Sequence, residues 1–305
     1  MIKIFHRTVK EPKLRELNQI EVGSFIYVEK PTDADLILLA ENYSLDESIL
    51  RDARDPYEVP RLEVEDGVIY MFNRLPVMLG ERVVTTPILL VYHSDFLIVV
   101  TLDSIPFIDK LTSNSHFFTT QKTKVLIQLL TEINRGYNSF LINISRQVRN
   151  ISTNIEEISN KDIAQFVYFE SVINDFLSAL VPANSVLTKL LSGRFFKLYE
   201  DDQDLIEDLS LAENQLIDLC RSTLKTIVNI RNAYSTIMTN NLNRVLKMLA
   251  ALTVVLTIPT IIGSFFGMNV TVPLSTNPWA FWVILASSVV LSFVALVVFF
   301  KNKWL

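Results

Sequence analysis

One cysteine, Cys220, stands in the 305 residues, so no intrachain disulfide can form and a cysteine-based zinc site lacks its ligands. Histidine is scarce too: His6, His93 and His116 lie far apart, without the spacing of metal ligands. No glycine-rich phosphate loop, nucleophile elbow or paired-carboxylate motif stands above background, which argues against an enzyme. No basic arm or patch stands out, and the formal net charge is -5, which argues against a nucleic-acid partner. The sharpest absence is of charge itself. Between Lys247 and Lys301 there is no Asp, Glu, Lys, Arg or His.

That uncharged stretch holds two apolar runs, 248–266 and 279–300, each of about 20 residues, enough helix to cross roughly 30 Å of hydrocarbon. The polar segment between them, 267–278, is short and holds the two helices antiparallel. Arg244 and Lys247 precede the first run, Lys301 and Lys303 follow the second, and the connecting loop has no basic residue. The positive-inside rule then puts both flanks in the cytosol and the loop outside. The expected location is a cell membrane, multi-pass, with both termini cytoplasmic and the lipid bilayer as a partner. Trp279, Trp282 and Trp304 suit interfacial anchoring, with buried packing as the alternative. The first residues reach charge before an apolar core could form, so no cleaved leader is expected.

The residues before the hairpin are ordinary charged sequence, enough for a core and more than one structural unit. Runs 2–6 and 24–29 read as strands. After Pro31 a helix begins with Thr32 or Asp33 as its cap, and Ser44 to Glu47 reads as a capping box opening a second helix. From Arg61 to Thr101 the pattern is β-rich, with Asp66-Gly67 and Leu79-Gly80 as turns. An α+β domain with a mixed sheet is expected over 1–115. From about Gln121 the period lengthens to that of helices: one over 121–158 with Val125, Leu129, Ile133, Phe140 and Ile144 on one face, one over 162–191, and a third from near Asp204. The third meets no Pro or Gly until Pro259, so it is expected to run unbroken into the membrane, on the order of 80 Å long. Region 116–247 therefore reads as a long-helix stalk that needs neighbours, and self-association supplies them.

Alternating steps of four and three along this helix pick out Asn232, Thr236, Thr239, Asn243, Leu246, Ala250, Thr253, Thr257, Thr260 and Ser264. A heptad seam faces a common axis, and this one is mostly hydroxyl and amide. Two readings stay open: a water path lined by oxygen, or hydroxyls bonded to the carbonyl one turn back. On the pore reading, Leu246 with Leu249 or Met248 forms a hydrophobic gate, the alternative being an ordinary helix contact. Pro259 removes one backbone hydrogen bond, which Thr257 and Thr260 are expected to satisfy. The acidic run from Glu200 to Asp208 reads as a divalent-cation site or as a solvated helix start.

Gly267-Met268-Asn269, directly after a first transmembrane run and before a second, resembles the signature of the CorA family of divalent-cation transport proteins. The basic tail 301–305 looks like that family's as well. The resemblance implies a homopentameric funnel with the first membrane helix (248–266) innermost and pore-lining, the outer loop 267–278 selecting the ion, and the second helix (279–300) outside it. It assigns contact with the hydrated ion, through water, to Asn269, and makes Mg2+ the transported ion, with Co2+ and Ni2+ as companions and Mg2+ also a candidate regulatory ion. No organic cofactor is implied. This sequence departs from the family in Phe266, where a Tyr is common, in an outer loop without Asp or Glu, and in Asn232, where some relatives place an acidic sensor. The alternatives are ZntB-type Zn2+ transport coupled to protons, against which Met268 argues, and a membrane-anchored scaffold or sensor without ion flux.

Overall fold

The computed structural model describes residues 1–105, 107–153, 155, 158–195, 198–270, 277–302 and 304. They form two compact units, Met1–Asn229 and Ile230–Leu305. Helix α6, Glu200–Phe266, begins in the first and continues into the second.

The first unit is built on a seven-stranded mixed sheet in the order β2-β1-β3-β7-β6-β5-β4. Its strands are β1 Ile2–His6, β2 Arg15–Leu17, β3 Ser24–Glu29, β4 Arg61–Glu65, β5 Val68–Leu79, β6 Arg82–Tyr92 and β7 Phe96–Thr101. Only β3 and β7 pair in parallel among them. Both are almost wholly buried, as the unbroken apolar runs Phe25 to Val28 and Phe96 to Val100 require of central strands. The β4–β5 hairpin closes at Asp66 and Gly67, both at positive φ (48° and 79°), the backbone of a type I′ turn. Strand β2 escapes the sequence reading because three residues with little burial carry no alternation.

Side chains alternate across the sheet. One face, with Ile26, Val28, Tyr70, Phe72, Leu89 and Ile98, packs on α1 (Asp33–Tyr43) and α2 (Glu47–Asp52) through Leu36, Leu39 and Leu50. Thr32 caps α1 in a capping box closed by Asp35. The second cap differs from expectation. Ser44 ends α1 in the left-handed region (φ 52°), and Asp46 caps α2 by accepting from the Ile49 amide. An Asp at the N-cap serves the same donors as a Ser, so the motif allowed either register.

The other elements are α3 Ile108–Thr112, α4 Lys122–Ser152 and α5 Asn160–Leu191. Helices α4 and α5, read from the sequence as parts of a stalk, pack against the sheet. Tyr137 of α4 donates its hydroxyl to the Arg74 carbonyl of β5 (3.1 Å), and the Val83 amide of β6 donates to the Tyr168 hydroxyl of α5 (2.9 Å). Gly136 makes the approach possible, since a Cβ there would lie 3.2 Å from Pro76 Cγ. Val125, Leu129, Ile133 and Ile144 are buried as the periodicity predicts, while Phe140 is partly covered.

Gly23 enters β3 at φ 87°, and a Cβ there would meet Thr120 Cγ2 at 2.7 Å. Gly23→Ala is therefore expected to cost about 1–3 kcal/mol, from left-handed backbone strain and overpacking together. A lower thermal midpoint for the purified variant is the check, and an unchanged midpoint would contradict it.

Candidate functional site

The second unit holds the end of α6 and α7, Ala280–Lys301. Among the described residues three helices are long and apolar enough to cross a membrane: α5, α6 and α7. In α5 the apolar window is 44% buried, against 6% in each of the other two. Its side chains are spent inside the first unit, so α6 and α7 are the candidates for the bilayer.

Helix α6 turns its partly or fully covered residues Ala251, Val255, Ile258 and Ile262 to one side. On α7 the covered residues are Ala280, Ile284, Ser288, Ser292, Ala295 and Phe299, a face spaced by three and four. The small side chains at 288, 292 and 295 let the two backbones approach.

Proline 259 explains one contact between them. Lacking an N–H, it leaves the carbonyl of Val255 without its helical donor. Ser292 Oγ of α7 donates to that carbonyl at 3.3 Å. The hydroxyls expected to serve the break bond elsewhere: Thr257 to the Thr253 carbonyl (2.7 Å) and Thr260 to the Leu256 carbonyl (3.1 Å). A threonine reaches the carbonyl four residues before itself, and neither 257 nor 260 stands four after Val255. The donor had to come from another helix.

The predicted stripe, Asn232 to Ser264, is exposed throughout in the single chain, Leu246 and Ala250 included. At 100° per residue, the positions 250 to 264 of the stripe are centred roughly 150° around the helix from the face that meets α7. The alternative reading of the hydroxyls is realised, because Thr236, Thr239, Thr253, Thr257 and Thr260 each donate to the carbonyl four residues back. Each keeps its lone pairs free to accept from outside the helix. The amides of Asn243 and Asn269 carry no hydrogen bond among the described residues. Leu246 and Leu249 stand about 60° apart on the helix, whereas Met248 is turned about 160° from Leu246.

Helix α6 ends at Phe266, and the Gly267 amide closes its last turn on the carbonyls of Gly263 (3.0 Å) and Ser264 (3.2 Å). Met268 and Asn269 follow, exposed at the helix end. Of the expected outer loop, 271–276 lie outside the described residues, as do Lys303 and Leu305 of the basic tail. Trp279 and Trp282 are exposed and Trp304 stacks on Phe299 at 5.5 Å. Two residues escaped the sequence reading: Ser292, whose small-residue spacing on α7 was the available signal, and Glu213, a carboxylate buried on α6 with no signal beyond its place among apolar positions.

The family described as "CorA-like Mg2+ transporter protein" matches residues 21–301. The curated "Cobalt/magnesium transport protein CorA" of Methanocaldococcus jannaschii is 22% identical over 312 residues, covering 98% of this chain and 96% of that protein. The complete structure of the CorA magnesium transporter from the same organism superposes with a TM-score of 0.88 at 20% identity, over 100% of this chain and 99% of that one. The cytoplasmic domain of ZntB from Vibrio parahaemolyticus reaches a TM-score of 0.65 at 10% identity, over 78% of this chain and 98% of that one.

If Ser292 serves the carbonyl freed by Pro259, Ser292→Ala should destabilise the hairpin by about 1 kcal/mol, and Pro259→Ala, which restores the helical donor, should remove that cost. A double-mutant cycle on the unfolding of the protein in nanodiscs reads the coupling. Equal costs of Ser292→Ala in both backgrounds would refute the pairing.

Proposed function

The chain belongs to the CorA-like Mg2+ transporter family, and from that membership and the geometry of α6 we propose that it carries Mg2+ into the cell through a channel on the axis of a homopentamer. The observation that carries this reading is the oxygen-lined stripe of α6, which lies on the face turned away from α7 and ends at Gly267-Met268-Asn269. Family members are transporters and not enzymes, and divalent-cation transport is the function of this chain.

The chemistry follows from how Mg2+ holds water. The ion dehydrates reluctantly and keeps several waters in protein sites, and those waters present hydrogens outward. A wall for a hydrated cation must therefore accept hydrogen bonds. Threonines that donate to their own helix are oriented as acceptors, so the two readings of the stripe describe one arrangement. Rings of neutral oxygen from Asn243, Thr253, Thr257, Thr260 and Ser264 pass a divalent ion without trapping it as rings of carboxylates would.

In this proposal the first membrane helix is 248–266 and lines the pore, the second is 279–300, and the tail 301–305 and the chain before residue 248 are cytosolic. Asn269 meets the hydrated ion through water at the outer mouth beside Gly267 and Met268. Leu246 and Leu249 form the constriction that gates by dewetting. Membrane potential drives entry, since two charges crossing 100 mV gain roughly 4.6 kcal/mol. Co2+, named beside magnesium for the Methanocaldococcus jannaschii relative, and Ni2+, a divalent ion of similar hydration, are further candidates.

Flux into proteoliposomes tests the reading. Mg2+ entry that follows membrane potential without a proton gradient is expected, and Zn2+ flux that needs a proton gradient would overturn it in favour of ZntB-type transport. Asn269→Ala should abolish selective Mg2+ uptake with assembly intact, and wild-type flux in that variant would refute the role of the loop. Leu246→Asn should leak at rest, and unchanged conductance at normal protein level would move the gate elsewhere.

A further inference from the structure

The cytosolic half of α6 buries a seam of Ile206, Leu209, Leu216, Ile217 and Cys220 in the first unit, and Glu213 sits in the middle of it, 3% exposed. Glu213 Oε2 has no hydrogen-bond partner, and no ion pair among the described residues includes it.

The groups around it bond elsewhere, and none donates to its Oε2. From α4, the Tyr137 hydroxyl is committed to the Arg74 carbonyl (3.1 Å) and the Asn134 amide to the Leu209 carbonyl (3.5 Å). From α5, Phe176 stands edge-on to Tyr137, ring centres 4.9 Å apart. From α6 itself the titratable neighbour is Cys220, fully buried, its thiol pushed up to about 12 by burial. From the sheet, the Arg74 guanidinium is occupied by the Glu58 carbonyl and by Thr85. A carboxyl so placed is tolerated neutral and penalised when charged.

Beside it, α4 and α6 leave a cavity of about 320 Å³ lined by Asn134, Arg135, Asn138, Ala212 and Gln215. Its wall is mostly apolar, through Leu209, Leu216 and Leu219 of α6, but it is roomy enough for water, and Asn134, Arg135 and Asn138 supply the polar partners that water needs.

We propose that Glu213 is a proton-binding site that sets how α6 packs on α4: protonated it holds the helix in the layer, and ionised it opens the groove to water. Because the same helix carries the oxygen stripe, the switch would make flux pH-dependent, a consequence that rests on the transport reading.

Burial pushes Glu213 up to about 8 from 4.5. A raised carboxylate pKa means that the packed state binds the proton more tightly than the opened one. The packed state is then fully favoured below the ordinary carboxylate range, loses ground as pH rises through neutrality, and reaches a plateau above about 8. Across that window the opened fraction rises by up to about tenfold per pH unit.

The test is amide hydrogen exchange of the full-length protein in nanodiscs at pH 6, 7 and 8, corrected for intrinsic rates. Peptides around 205–220 and 130–141 should open more with pH in the wild type, and Glu213→Gln should be flat. Glu213→Leu, which also has no proton to lose, serves as the second variant and should be flat too. Wild-type slopes in both variants, or no slope in the wild type, would overturn the proposal. Mg2+ flux of the same protein in proteoliposomes at the same pH values separates the two ideas: a slope in exchange without Mg2+ flux at any pH supports the proton site and removes the transport reading.

Discussion

Inside hydrocarbon a backbone carbonyl without a donor has no water to turn to, and Pro259 creates such a carbonyl at Val255. The hydroxyl of Ser292 answers it from the neighbouring helix at 3.3 Å. This bond pairs the proline break in α6 with a small-residue position on α7, the two candidate membrane helices. Around it Ala251 is fully buried and Ser288 nearly so, so the helices meet where side chains are least bulky. Once that face of α6 is committed to α7, its hydroxyl-rich face is left on the other side.

The oxygen face then has a chemical character that its hydroxyl count alone does not give. Five threonine protons point back into the helix, which converts a surface of mixed donors and acceptors into one that mainly accepts. Such a surface suits the outward hydrogens of a hydrated cation and is poorly matched to an anion. With no Asp or Glu between Lys247 and Lys301, nothing in the stretch concentrates cations by formal charge. On the proposed pore reading, passage depends on the membrane potential and on hydrogen-bond matching, with weak electrostatic steering.

The sequence made legible what depends on local periodicity or on missing charge. The β-rich runs of β5 and β6, the Asp66-Gly67 turn, the Thr32 cap and the two uncharged runs each follow from neighbours along the chain. What stayed hidden depends on neighbours in space. Ser44 and Asp46 are both competent caps, and only the packed α1 end decides which one is used. The same limit hid the packing of α4 and α5 on the sheet, where Gly136 against Pro76 and Tyr137 against Arg74 make the contact. In the candidate site, the stripe was readable from spacing, whereas the donor for Val255 lay 37 residues away on another helix.

Helix α6 changes character along its length, and the change bears on assembly. Up to Ile227 it keeps a buried seam in the first unit, but from 238 to 250 every residue is exposed in the single chain, Leu242, Val245, Leu246 and Leu249 among them. A helix gains most of its stability from packing an apolar face, and an isolated chain leaves this stretch none to pack against. Lipid could cover apolar side chains within the bilayer, but Arg244 and Lys247 mark this stretch as lying at or before the membrane surface. Water would be the remaining neighbour there, and it penalises exposed leucine and valine. In the proposed homopentamer, copies of the same helix would resolve the conflict, covering the leucines of one another while the amides of Asn243 and the threonine oxygens face the shared axis. The exposed apolar stretch thus favours the proposed assembly on the same helix that is proposed to line the path, and the proposed constriction at Leu246 falls where that stretch gives way to the uncharged one.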